Sequence, residues 1–101
     1  MPYAFVQDVP ADENVYAEIR ARLGSEPPAG LIAHVALKRS GGLRYVDVWE
    51  NQAAWERFRD EQVFPVIRDV LESRDIPFDP SAVTFEDVEV VDTWLGQPAL
   101  A

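Results

Sequence analysis

The sequence predicts an α+β domain: a four-stranded antiparallel sheet with two helices packed on one of its faces. Two observations lead there. Four stretches rich in β-branched and aromatic residues are bounded by turn signals, and two amphipathic stretches at helical spacing interrupt them in the order β-α-β-β-α-β. The chain has 101 residues, the size of one core, so residues 1–101 read as a single domain.

The first strand is residues 3–9, YAFVQDV, which run into Pro10, a residue that suits the end of a strand. Asp12 supplies a helix N-cap and Glu13 places negative charge at the positive end of the helix dipole. Val15, Ile19 and Leu23 then recur on one face until Gly24 stops the helix. Pro27 and Pro28, in SEPPAG, make the next stretch a loop. Residues 31–38 (LIAHVALK) and 43–50 (LRYVDVWE) both alternate, and RSGG between them offers positive-φ positions for a tight reversal centred on Ser40-Gly41 or Gly41-Gly42. Strands two and three therefore form a hairpin.

Asn51 caps the second helix, where Ala54, Trp55, Phe58 and Gln62 lie at helical spacing. Pro65 has no N–H to donate, which predicts a kink or a fresh first turn near Phe64 before Val66, Ile67, Val70 and Leu71 continue the pattern. A loop through Pro77 and Pro80 leads to residues 83–95, a long β-rich segment broken near Glu86-Asp87 that serves as the fourth strand. Residues 96–101 are expected to be a loosely held tail.

This order is the split βαβ of the ferredoxin-like fold, in which right-handed crossovers place both helices on one face of the sheet. Alternation gathers Leu31, Ala33, Val35 and Leu37 with Arg44, Val46, Val48 and Glu50. It sets Ile32, His34, Ala36 and Lys38 beside Leu43, Tyr45, Asp47 and Trp49 on the opposite face. Both faces are largely apolar and the helices cover only one, so a homodimer is expected, with the exposed sheets packed about a two-fold axis. Trp94, near the end of the last strand, is expected to anchor that contact.

Composition removes several classes of function. Nine Lys and Arg against eighteen Asp and Glu give a net charge of −9, which repels phosphates and argues against nucleic acid or an anionic membrane surface as a partner. The start lacks the basic and apolar regions of a leader, and no apolar run is long enough to span a bilayer. With no Cys, thiolate nucleophiles, zinc-thiolate sites and disulfides are excluded, and a cytoplasmic location is the expectation. A single His with scattered carboxylates such as Glu86, Asp87 and Glu89 does not make a metal site. Gly41-Gly42 joins two strands instead of opening a helix, so no nucleotide-binding loop is visible and no cofactor is expected.

The chemistry candidates lie on one face of the hairpin. His34 sits opposite or diagonal to Asp47 or Trp49, depending on where the turn centres, and shares a face with both; a pairing with Asp47 suits a general base whose carboxylate fixes the tautomer. The plainer alternative is a histidine hydrogen-bonded inside the fold with Asp47 as its partner. Tyr45, Trp49, Trp55 and Phe58 suit the walls of a pocket for a planar ligand, and an aromatic stripe of this kind is equally what a core requires.

With this element order, the hairpin sequence YVDVWEN and the following AAWERF, residues 3–95 resemble the antibiotic biosynthesis monooxygenase-like, dimeric α+β barrel superfamily. The resemblance implies two sheets closing a barrel, with a cavity between each sheet and its helices for an aromatic polyketide or a haem. It also implies that Gln7 matches a polar amide on the first strand, and Trp49 a tryptophan on the third. The axial histidine of haem-degrading members has no counterpart between Asn51 and Leu71, so haem ligation of that type is not expected. Two functions follow. One is a cofactor-independent monooxygenase acting on a small aromatic compound, with His34 and Asp47 as the base pair. The other is a non-catalytic homodimeric module that binds a small hydrophobic ligand or serves structurally.

Overall fold

The structure, a computed structural model, describes residues 2–96. Its elements are β1 (Tyr3–Val9), α1 (Glu13–Leu23), β2 (Leu31–Arg39), β3 (Gly42–Trp49), α2 (Gln52–Phe58), α3 (Phe64–Ser73) and β4 (Thr84–Val88). The sheet order is β2-β3-β1-β4 with every neighbouring pair antiparallel, the ferredoxin-like arrangement expected from the sequence.

Local chemistry accounts for the boundaries. The Asp12 side chain accepts from Val15 N at 2.8 Å and starts α1, and the Asn51 side chain accepts from Ala54 N at 2.8 Å and starts α2. The hairpin register pairs Arg39 with Gly42, so the reversal is the two-residue turn Ser40-Gly41, with Gly41 at a φ of 82°. Gly30 has a φ of 90°, and a Cβ there would meet the Ala54 Cβ at 2.6 Å. Only glycine lets the start of α2 come this close to the loop.

The irregularity expected near Phe64 is a single π-helical turn, Arg59–Val63, which joins α2 to α3. There the Phe64 N–H reaches back five residues to the Arg59 carbonyl. The wider turn accommodates Pro65, which has no N–H and would otherwise press on the carbonyl of the preceding turn.

Two expectations are corrected. The fourth strand is residues 84–88, not 83–95, because its last partner is Ala4, one residue from the start of β1, and the chain beyond Val88 has no strand left to pair with. Residues 89–96 carry no regular structure, and Trp94, there expected to anchor a partner, is 93% exposed. The second correction concerns Leu31. A register shift between Leu31 and Ala33 places Leu31 opposite Trp49, so it leaves the aliphatic face and packs on the aromatic core. Of the expected tail, residues 97–101 lie outside the described residues.

The core sits between the sheet and α2. Phe5 and Trp49 are fully buried, and the Phe5 ring lies 4.7 Å from Trp55 and 4.6 Å from Phe85. Tyr3, Leu31, Ala54 and Phe58 pack around this cluster. Among the described residues no helix lies on the far side of the sheet, and Val35, Leu37 and Val88 stay exposed. At the turn end that face becomes polar, where Asp8 is clamped by Arg44 at 2.7 and 3.0 Å with Arg39 at 3.4 Å.

Candidate functional site

His34 lies on the edge strand β2 and Asp47 on β3, and the register makes them direct partners. Their side chains point to the helix-covered face, where His34 Nδ1 stands 2.6 Å from Asp47 Oδ1. The other carboxylate oxygen accepts from Trp49 Nε1 at 3.1 Å. Trp49 is two residues along the same strand, so alternation puts both groups on one face. Asp47 is the one buried charged residue among the described residues, at 5% exposure, and these two donors satisfy it.

The donors fix the protons. With both oxygens of Asp47 accepting, Nδ1 carries a proton, and in the neutral imidazole the Nε2 lone pair is left to accept. That lone pair meets the hydroxyl of Tyr16, 2.8 Å away on α1. The site is therefore a chain of four groups: the Tyr16 hydroxyl, the His34 imidazole, the Asp47 carboxylate and the Trp49 indole. The Tyr16 and His34 rings are nearly parallel, 9° apart at 6.1 Å, and Tyr45 leans on both at 5.5 Å.

Burial pushes the Tyr16 phenol up from its ordinary value, while the nearby Arg20 guanidinium pulls it back down. Burial also raises the Tyr45 phenol, with the charges of Tyr16 and Asp47 adding to the effect. The His34 side chain keeps 25% of its surface open to solvent and that of Asp47 only 7%, so the pair is reached from the imidazole side, at the edge of the sheet.

The structure joins His34, Asp47, Tyr45 and Trp49, and Trp49 carries the cluster on to Trp55 at 5.5 Å and Phe58 at 5.6 Å. Trp49 and Trp55 are packed rings, 1% and 8% exposed, and the buried Trp55 Nε1 has no hydrogen-bond partner among the described residues. Gln7 shares the face, pairing with Tyr45 on one side and Phe85 on the other, without entering the hydrogen-bonded chain. Two surface clefts lie elsewhere, one by Asp12, Lys38 and Leu43 and one by Leu71, Ile76 and Pro77. Among the described residues no cluster of His, Asp and Glu is arranged to hold a metal ion.

Tyr16 is the residue that the sequence reading missed. Its signal is an aromatic ring with a polar tip on the flank of the Val15, Ile19 and Leu23 stripe, one helical turn past the Asp12 cap.

No family model matches the chain, and no curated protein matches it. Solved structures do. A Chloroflexus aurantiacus protein provisionally assigned as an antibiotic biosynthesis monooxygenase superposes at a TM-score of 0.65, with 14% identity over 93% of this chain and 97% of its own. A variant of SnoaB, a cofactor-independent oxygenase from Streptomyces nogalater, superposes at 0.58, with 17% identity over 91% and 95%. PA3566 from Pseudomonas aeruginosa superposes at 0.60, with 17% identity over 90% and 95%. The chain thus has the ferredoxin-like α+β fold of antibiotic biosynthesis monooxygenase-like proteins. At these identities the likeness establishes the fold, and the activity must be argued from the site.

Proposed function

We propose that this protein is a cofactor-independent monooxygenase that takes a proton from a small phenolic or enolic aromatic compound. The observation that carries the reading is the 2.6 Å pairing of His34 with the buried Asp47, open to solvent only on the imidazole side. Asp47 holds the Nδ1 proton, which leaves Nε2 as the basic atom and offsets the positive charge when that atom is protonated. The ionised substrate is then electron-rich enough to reduce dioxygen itself. The protein contributes the proton acceptor, orientation and aromatic walls from Tyr16 and Tyr45. Structural likeness to a cofactor-independent oxygenase supports the reading at the level of fold.

The functional unit in this reading is a homodimer. One face of the sheet has no helix over it among the described residues, and Val35, Leu37 and Val88 are 48%, 45% and 37% exposed there. Val91 and Trp94, at 97% and 93% exposure, follow on an arm that makes little contact with its own chain. A second copy covers such a surface by two-fold packing. Light scattering that gives an 11.4 kDa particle at micromolar concentration would refute the dimer.

The test of the activity is His34→Ala assayed by oxygen uptake over a panel of polyhydroxylated naphthalenes and anthracenes. Turnover should fall by about 10² or more, the usual contribution of a general base, with the dimer retained. Unchanged turnover removes His34 from the mechanism. A second reading is a non-catalytic homodimeric module that binds a small hydrophobic ligand or serves structurally, and the tight packing of Trp49 and Trp55 favours its structural form. The ligand-binding form predicts quenching of Trp fluorescence by the same compounds without oxygen uptake.

A further inference from the structure

We infer that the Tyr16 hydroxyl, and not the imidazole of His34, is the group that meets the ligand's acidic proton. The inference rests on the proton-abstraction reading above and adds a residue to it. His34 has two ring nitrogens and both are engaged: Nδ1 by Asp47 at 2.6 Å and Nε2 by Tyr16 at 2.8 Å. A ligand can reach the base only by expelling Tyr16 or by working through it. Expulsion would break the hydrogen bond and pull the ring away from His34 and Tyr45, both of which it packs against. Working through it breaks no packing.

In the relay, the ligand O–H bond breaks and its proton forms a new bond to the Tyr16 oxygen. The proton originally on Tyr16 passes to His34 Nε2. The ligand is left as an anion, Tyr16 stays neutral, and the imidazolium faces the Asp47 carboxylate. Nothing is oxidised or reduced in this step.

The surroundings suit the transfer. The Arg20 guanidinium lies near enough to Tyr16 to favour negative charge on its oxygen as the proton leaves, against the burial that disfavours it. The groups facing the Tyr16–His34 pair are Arg20 from α1, and Tyr45 and Asp47 from β3. The ligand class that follows is a hydroxylated aromatic or its enol tautomer, whose acidity is close to that of the tyrosine it must match. A strong acid would need no relay and an alcohol could not use one.

The probe is 2-naphthol, whose anion absorbs at longer wavelength than the neutral form. Mixed with the full-length protein at neutral pH, it should give a naphtholate band. Tyr16→Phe, which keeps the ring and its stacking, should lower that band at least 10-fold while circular dichroism stays native, and His34→Gln should abolish it. No band with the wild-type protein overturns the relay, whether 2-naphthol binds neutral or does not bind. A band that persists in Tyr16→Phe overturns it too, because His34 then acts directly. Oxygen uptake in the same samples separates this inference from the reading beneath it. A Tyr16-dependent band without oxygen uptake keeps the relay and sinks the oxygenase. Uptake undiminished in Tyr16→Phe sinks the relay and keeps the oxygenase.

Discussion

His34 and Asp47 face each other across paired positions of β2 and β3, and their 2.6 Å contact is one link in a hydrogen-bonded chain that also holds Trp49 and Tyr16. The carboxylate is the only acceptor that the buried Trp49 indole and the His34 Nδ1 share. Removing it affects both.

Asp47→Asn keeps the shape and loses one acceptor. An amide gives its oxygen to the Trp49 N–H and its NH₂ to His34, so the imidazole is driven to the Nε2–H tautomer and loses the basic nitrogen that faces Tyr16. We expect a stability loss of about 1 kcal/mol in urea unfolding, for a charge-assisted hydrogen bond replaced by a neutral one. Because His34 is the only histidine, its ring nitrogens give one unambiguous pair of signals in a long-range ¹H–¹⁵N spectrum. Wild-type protein should show the Nδ1–H tautomer, and a wild-type Nε2–H tautomer would contradict the hydrogen-bond order described above.

Phe5→Ala should cost about 3–5 kcal/mol, the range for emptying a buried phenyl site, since Phe5 is 1% exposed between Trp55 and Phe85. Chemical denaturation followed by Trp fluorescence measures it. A loss under about 1 kcal/mol would mean that this cluster does not anchor the sheet to α2.

Alkali should destabilise the fold. Burial raises the Tyr45 phenol, and the Tyr16 phenol less clearly because Arg20 opposes the shift. Both are therefore protonated in the folded chain at pH values where the unfolded chain has ionised. The stabilisation is complete below the ordinary phenol value near 10 and is lost as pH rises from there through the folded-state values, because in that window the native state binds more protons than the unfolded chain. Denaturation midpoints at pH 9 and pH 11 should fall in that order. Tyrosine absorbance should show ionisation of the folded protein displaced to higher pH than in urea.

A charge on the open face should separate the copies. Val35→Lys places an ammonium at a position 48% exposed in the single chain, so it perturbs folding little, yet in a dimer it would bury an unpaired charge. Analytical ultracentrifugation should show the variant as single chains with native circular dichroism. If the variant and the wild type sediment alike, that face is not the contact.

Most of the fold was legible in the sequence. Asp12, Asn51 and Gly41 act locally, through a cap or a positive φ, and each does what its neighbours in the sequence predict. The alternation of LIAHVALK and LRYVDVWE likewise brought His34, Asp47 and Trp49 to one face without reference to anything distant. Where the pattern ran past its partners it misled. Residues 89–95 have strand composition, but pairing requires a neighbouring strand and β1 does not extend that far.

The sequence by itself determined the element order and the sharing of one face by His34, Asp47 and Trp49, because these depend on chemistry within a few residues or on a period of two. Tertiary structure decided the rest. The shift at Ile32 that turns Leu31 to the core, and the placing of Tyr16 over His34, follow from how α1 and α2 settle on the sheet. Contacts between residues 18 positions apart are set by packing geometry, which no local pattern encodes.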